Sequence, residues 1–220
     1  MPQTPTTAAS WPDLDDALAT TLRAGCEQLA LSATDSQYQQ LLAYLDLLQR
    51  WNKAYNLTAV RDAQQMVTRH LLDSLAITPF ISGQRLIDIG TGAGLPGVPM
   101  DIVFPGREFH LLDSNGKKTR FLFQVKTALG LDNMTVHQAR SESFTPEQPF
   151  DAVLSRAFAS LADMVRVGRH LLAPGGRMLA MKGAYPKEEL AAVEGEFATA
   201  TVHPLHVPGL DEQRHLVELA

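Results

Sequence analysis

From Gly83 onward the chain alternates short apolar runs with helix-length segments, and this alternation restricts the fold more than any single motif. The runs are RLIDIG, EFHLLD, MTVHQA, FDAVLSR, GRMLAMKG, ATVHPLHV and RHLVEL. Their length and composition read as strands, while KKTRFLFQVKTALG and SLADMVRVGRHLL read as the helices between them. Strands alternating with helices predict a largely parallel, doubly wound sheet covered on both faces. The last two runs are joined only by PGLDEQ, too short for a helical crossover, so they should pair as an antiparallel hairpin. The expected class is therefore α/β, a Rossmann-like sheet, mostly parallel, closed by a C-terminal antiparallel hairpin.

Upstream the periodicity is helical. LDDALATTLRAGCEQL, SQYQQLLAYLDLLQRWNKAYNL and AQQMVTRHLLDSLAITPF place apolar residues on one side of a helix, with Leu41, Leu42, Leu45 and Leu48 followed by Trp51 and Tyr55. Pro79 and Gly83 then break the pattern. The expected organisation is a disordered tail over 1–12, rich in Pro, Thr and Ala, a helical extension over 13–82, and a Rossmann-like domain over 83–220.

The turn after the first strand reads LIDIGTGAGLPGVP. In a doubly wound sheet the ligand lies beyond the carboxyl ends of the strands at the switch point, which puts Gly90, Gly92 and Gly94 at its edge. Glycine suits a sharp turn whose backbone must approach a ligand closely. Read as GAGLPG, the turn loosely fits the dinucleotide fingerprint of an oxidoreductase; read from Asp88 as DIGTGAG, it fits the first motif of an S-adenosylmethionine enzyme. Asp113 ends the second strand, where a carboxylate can accept ribose hydroxyls from either cofactor. Ser141 and Glu142 follow the third strand, where a backbone amide and an acid commonly face adenine in methyltransferases. That pair and the terminal hairpin favour the second cofactor.

Taken together, DIGTGAGLPGVP, LLDSNGKKTRFL, SRAFASL, WNKAYNLT, RHLLDSL and QRHLV resemble the bacterial small-subunit ribosomal RNA guanine-N7 methyltransferase family RsmG, also called glucose-inhibited division protein B. The matching motifs run from Trp51 to Val217, and only Gln213, in place of an expected acid, departs from them. The resemblance implies S-adenosylmethionine as cofactor, with Gly90 and Leu95 on its methionine and ribose side, Ser141 and Glu142 at adenine, and Arg156 completing the site. It implies as acceptor N7 of a guanine in the decoding-centre loop of 16S rRNA within the small ribosomal subunit.

The residues are compatible with that acceptor. Methylation of an exocyclic amine typically uses an Asp/Asn-Pro-Pro-aromatic run after the fourth strand, where this chain has SRAFAS. Pyrimidine C5 chemistry needs a cysteine nucleophile, and Cys26, the one cysteine, lies in the extension. Guanine N7 carries a free lone pair and no proton, so no catalytic acid or base is expected, only positioning for in-line transfer. For the same reason His70 is not expected to be catalytic, although Arg69, His70 and Asp73 share a helix face beside the cleft. N7 is recessed in A-form RNA, which points to a guanine in a loop.

Lys117, Lys118 and Arg120 open the helix after Asp113 and are the candidate RNA contacts, although the formal net charge is −5. That balance argues against non-specific coating of nucleic acid. Trp51 is expected in the core rather than stacked on a base. No apolar run reaches the ~18 residues of a membrane span, and the N-terminus lacks a signal-peptide layout. No membrane or metal partner is expected, and the chain reads as a cytoplasmic monomer. The competing readings are a methyltransferase of another RNA or small molecule, a NAD-binding oxidoreductase, and a ribosome assembly factor with a vestigial pocket.

Overall fold

The computed structural model describes residues 16–156 and 158–220; the expected tail over 1–12 lies outside the described residues. The extension opens with α1 (Asp16–Gln28) and α2 (Asp35–Tyr55). Thr34 starts α2 with a capping box, its side chain accepting from the Gln37 N–H while the Gln37 side chain accepts from the Thr34 N–H. This satisfies amides that the first helical turn leaves unpaired. Asn56 ends α2 in the left-handed conformation, φ 51°.

The third helical segment differs from its sequence pattern. It begins as α3 (Ala63–Met66), widens into a π turn over Val67–Leu72, and closes as α4 (Asp73–Leu75). The apolar spacing of a π turn resembles that of an α-helix, so the widening is silent in the sequence. Such turns are frequent at functional sites.

The sheet comprises β1 (Arg85–Ile89), β2 (Glu108–Asp113), β3 (Met134–Gln138), β4 (Phe150–Arg156), β5 (Leu172–Lys182), β6 (Ala200–Leu205) and β7 (Arg214–Leu219). Its order is β3-β2-β1-β4-β5-β7-β6, parallel except for the antiparallel β5–β7 and β6–β7 pairs. The interleaved helices are α5 (Gly97–Val103), α6 (Gly116–Leu129), α7 (Leu161–Gly168) and α8 (Lys187–Ala191). All seven expected strands are present. β5 starts earlier than its apolar run because Ala173-Pro174-Gly175-Gly176 forms an irregular entry, with the register against β4 shifting between Phe150 and Ala152. The chain builds β1, β2 and β3 in one direction and returns with β4 on the other side of β1, so the switch point is the carboxyl edge between β1 and β4.

Two apolar layers cover the sheet. One contains α7 with Leu161, Met164 and Val167. The other joins α5 and α6 to the extension, with Leu41, Tyr44, Leu48, Leu71, Val98, Phe121 and Leu122 in one continuous core. Trp51 is half-buried, its ring centroid 5.6 Å from that of Phe121.

Candidate active site

At the switch point the turn after β1 is drawn tight by two buried carboxylates. Asp88 Oδ2 accepts from Thr91 Oγ1 (2.6 Å) and from the Gly97 N–H (2.9 Å). Its Oδ1 has no partner among the described residues, and burial pushes the carboxyl up to about 7 against the pull of those hydrogen bonds. Asp113 Oδ2 accepts from the Gly92 N–H (2.9 Å) and Oδ1 from the Asn115 N–H (2.8 Å). One carboxylate therefore closes the turn from within and the other ties it to the end of β2. A third restraint comes from the extension, where the buried Tyr44 hydroxyl donates to the Ala93 carbonyl at 2.9 Å.

The turn opens onto a cleft of about 390 Å³ lined by Leu57, Thr58, Gly90 to Ala93, Leu95, Lys118, Arg156, Phe158 and Ala159. That volume lies in the range of about 300–1,000 Å³ that holds small ligands and cofactors. Gly92 has φ +64°, and a Cβ there would meet only the Gly90 carbonyl oxygen at 3.9 Å and Lys118 Nζ at 4.0 Å, both at ordinary contact distance. Gly94 serves differently: a Cβ there would lie 2.5 Å from Val98 Cγ2 and 2.7 Å from Leu122 Cδ2. Its bare α-carbon lets the turn pack onto α5 and α6.

Of the residues singled out in the sequence, Gly90, Gly92, Leu95, Arg156 and Lys118 thus meet in one cleft, with Asp113 one hydrogen bond behind it. Lys118, read from sequence as an RNA contact, faces the cleft with its Nζ 3.5 Å from Asp113 Oδ2. Lys117 and Arg120 are exposed on α6. Ser141 and Glu142 form a short 3₁₀ turn beyond β3, outside the cleft walls, the first half-buried and the second exposed.

Arg156 is anchored rather than free. Its Nη1 donates to the Arg69 carbonyl (3.0 Å) and to Asp73 Oδ2 (3.2 Å), while Arg214 Nε donates to Asp73 Oδ1 (3.0 Å). Asp73 is only 4% exposed, so a buried carboxylate holds two guanidiniums from β4 and β7. His70, also buried, has its Nε2 2.9 Å from Thr58 Oγ1, and its Nδ1 has no hydrogen-bond partner among the described residues. Burial, aided by the charge of Arg156, lowers His70 to about 4, so the ring is neutral near pH 7. Leu57, Thr58 and Phe158 were not expected in the cleft. The motifs WNKAYNLT and SRAFASL carry them, but nothing local in either segment says that the extension crosses to this edge.

The fold agrees with what known proteins show. A family profile described as "GidB: rRNA small subunit methyltransferase G" matches residues 37–217. The chain belongs to this family. It is 54% identical over 198 residues to the ribosomal RNA small subunit methyltransferase G of Pseudomonas syringae pv. syringae, covering 90% of this chain and 92% of that protein. It is 54% identical over 187 residues to the protein of the same name from Escherichia fergusonii, covering 85% and 90%. In fold it is similar to precorrin-6y C5,15-methyltransferase from Geobacter metallireducens, with a TM-score of 0.53, 12% identity, and coverage of 76% of this chain and 93% of that one. As a family member the chain is an S-adenosylmethionine-dependent methyltransferase with a class I fold, and the oxidoreductase reading of the glycine turn is set aside.

Proposed function

We propose that this chain methylates small-subunit ribosomal RNA, transferring the methyl group of S-adenosylmethionine to N7 of a guanine in the decoding-centre loop of 16S rRNA. The names of its relatives support the RNA. The observation that carries the acceptor atom is the chemistry of the cleft. Among its described lining residues only Lys118 and Arg156 ionise, and Arg156 is bound to Asp73. The neighbouring His70 is neutral and turned to Thr58. An acceptor that must lose a proton is poorly served there, whereas guanine N7 needs no base.

The residues fit the cofactor. Gly90, Gly92 and Leu95 line the cleft as a backbone wall that a bulky ligand can approach, because no Cβ stands at Gly90 or Gly92. Each Asp113 oxygen accepts one backbone N–H and keeps a lone pair for a ribose hydroxyl. The guanidinium of Arg156 engages two acceptors from Nη1 and keeps the N–H donors of Nη2 and Nε for the ligand. Ser141 and Glu142, at the end of β3, receive adenine if it extends past the cleft walls. Bound there, the cofactor supplies an electrophilic methyl group on a sulfonium. The chain aligns the two reactants, excludes water and places no competing nucleophile at the methyl. Lys118 works beside Asp113, and Lys117 and Arg120 on the exposed start of α6 meet the RNA backbone.

The test is made in cells. Deleting this gene removes one 7-methylguanosine from 16S rRNA, read as loss of a single aniline-induced strand scission and restored by the intact gene. An unchanged scission pattern overturns the assignment.

A further inference from the structure

Where amine-directed methyltransferases carry an Asp/Asn-Pro-Pro-aromatic run after the fourth strand, this chain has Ser155-Arg156-Ala157-Phe158. The aromatic end of that pattern remains and its proton-handling start is gone. Ser155 is 2% exposed and donates its hydroxyl to the Ile89 carbonyl at 3.2 Å, inside the sheet. Phe158 lines the cleft, with its ring edge so near Gly90 that a Cβ there would sit 3.4 Å from Cε2. Behind, it packs on the apolar layer under α7.

An ion pair between a poorly exposed lysine and a half-buried glutamate holds this loop. Lys182, at the end of β5 with a side chain 10% exposed, donates from Nζ to the Phe158 carbonyl (3.2 Å) and to Glu189 Oε2 (2.7 Å). The same Glu189 oxygen accepts from the N–H of Leu161, the first residue of α7 (2.7 Å). Lys182 and Glu189 therefore pin both ends of the segment from Phe158 to Leu161. The cost of desolvating the cation is offset by its pairing and hydrogen bonds, and these bonds fix the backbone that carries Phe158 beside the glycine turn.

We propose that Phe158 is the face on which the acceptor purine stacks during transfer, and that Lys182 and Glu189 are positioning residues for it. The inference rests on the guanine-N7 reading above. Stacking on an aromatic ring tolerates any base. It also gains strength as transfer proceeds, because N7 attack leaves the purine positively charged and an aromatic face attracts a cation. An interaction stronger in the transition state than in the ground state raises the rate of the chemical step.

The experiment uses the full-length protein with small ribosomal subunits from cells lacking the gene. It measures the single-turnover rate at saturating S-adenosylmethionine and, separately, the dissociation constant of S-adenosylmethionine. Phe158→Leu is expected to slow transfer roughly 5- to 150-fold, the span expected for loss of one stacked base, with cofactor affinity within about threefold. Phe158→Tyr is expected to restore most of the rate. Stepwise fluorination of the Phe158 ring keeps its shape and should slow transfer step by step. Lys182→Met should slow the wild type yet add nothing to Phe158→Leu.

A wild-type rate in Phe158→Leu, or a rate indifferent to fluorination, overturns the stacking role. A cofactor affinity that falls in parallel with the rate overturns it too, assigning Phe158 to the cofactor wall. Additive losses in Phe158→Leu/Lys182→Met overturn the positioning role. Wild-type protein that binds cofactor but yields no 7-methylguanine overturns the acceptor reading itself, before any variant is compared.

Discussion

Single residues in the turn after β1 carry opposite demands, and substitutions separate them. A side chain at Gly92 must adopt φ +64° and project into the cleft toward Lys118. Gly92→Val should lower S-adenosylmethionine affinity by at least about tenfold with the fold retained, and Gly92→Ala should lower it less; calorimetric titration and circular dichroism check both. The buried Asp101 on α5 shows a different strain. Both carboxylate oxygens lack a hydrogen-bond partner among the described residues, and burial pushes its pKa up to about 7, with Lys126 opposing. Because the folded pKa is raised, this group favours the fold below the unfolded value of about 4 and loses that contribution as pH rises through about 7. Asp101→Asn should therefore match the wild type near pH 4 and exceed it by about 1–3 kcal/mol at pH 8, measured by urea unfolding across that range. Gly92 was legible in the sequence, because a glycine-rich turn after an apolar strand has a local cause. Asp101 was not, because its burial depends on neighbours distant in the chain.

At the scale of elements, the strands were the most legible part, because each apolar run and its breakers are contiguous. The π turn over Val67–Leu72 and the irregular entry to β5 were not: the first shares its spacing with an α-helix, and the second is set by pairing against β4. The role of α2 was equally hidden. Its apolar face marks a buried helix, but only the folded chain places Tyr44, 49 residues earlier, against the Ala93 carbonyl of the glycine turn. Tyr44→Phe should cost about 1–2 kcal/mol of stability by leaving that buried carbonyl unpaired, and should weaken cofactor binding at the same time. Guanidinium unfolding and titration on one preparation test whether the two losses go together. A stability loss with unchanged cofactor affinity would show that α2 supports the core but not the turn.

Across the whole molecule, the cleft is assembled by the extension and both halves of the sheet. Asp73 joins them, holding Arg156 from 83 residues away and Arg214 from 141 residues away. No local pattern encodes such a meeting, which is why helix spacing put Asp73 beside the cleft and a motif marked Arg156, while the bond between them was not legible. Asp73→Asn leaves two poorly exposed guanidiniums without a counter-charge and should destabilise the fold by about 2–4 kcal/mol, seen as a lowered urea midpoint with an unchanged slope. One measurement reads the acceptor atom directly. Purified protein is given methyl-tritiated S-adenosylmethionine with small ribosomal subunits from cells lacking the gene and, in parallel, with subunits from intact cells. Transfer to guanine N7 predicts label only in the deficient subunits, recovered after digestion as 7-methylguanine. Label recovered in another base, or no label from protein that binds the cofactor, would contradict it.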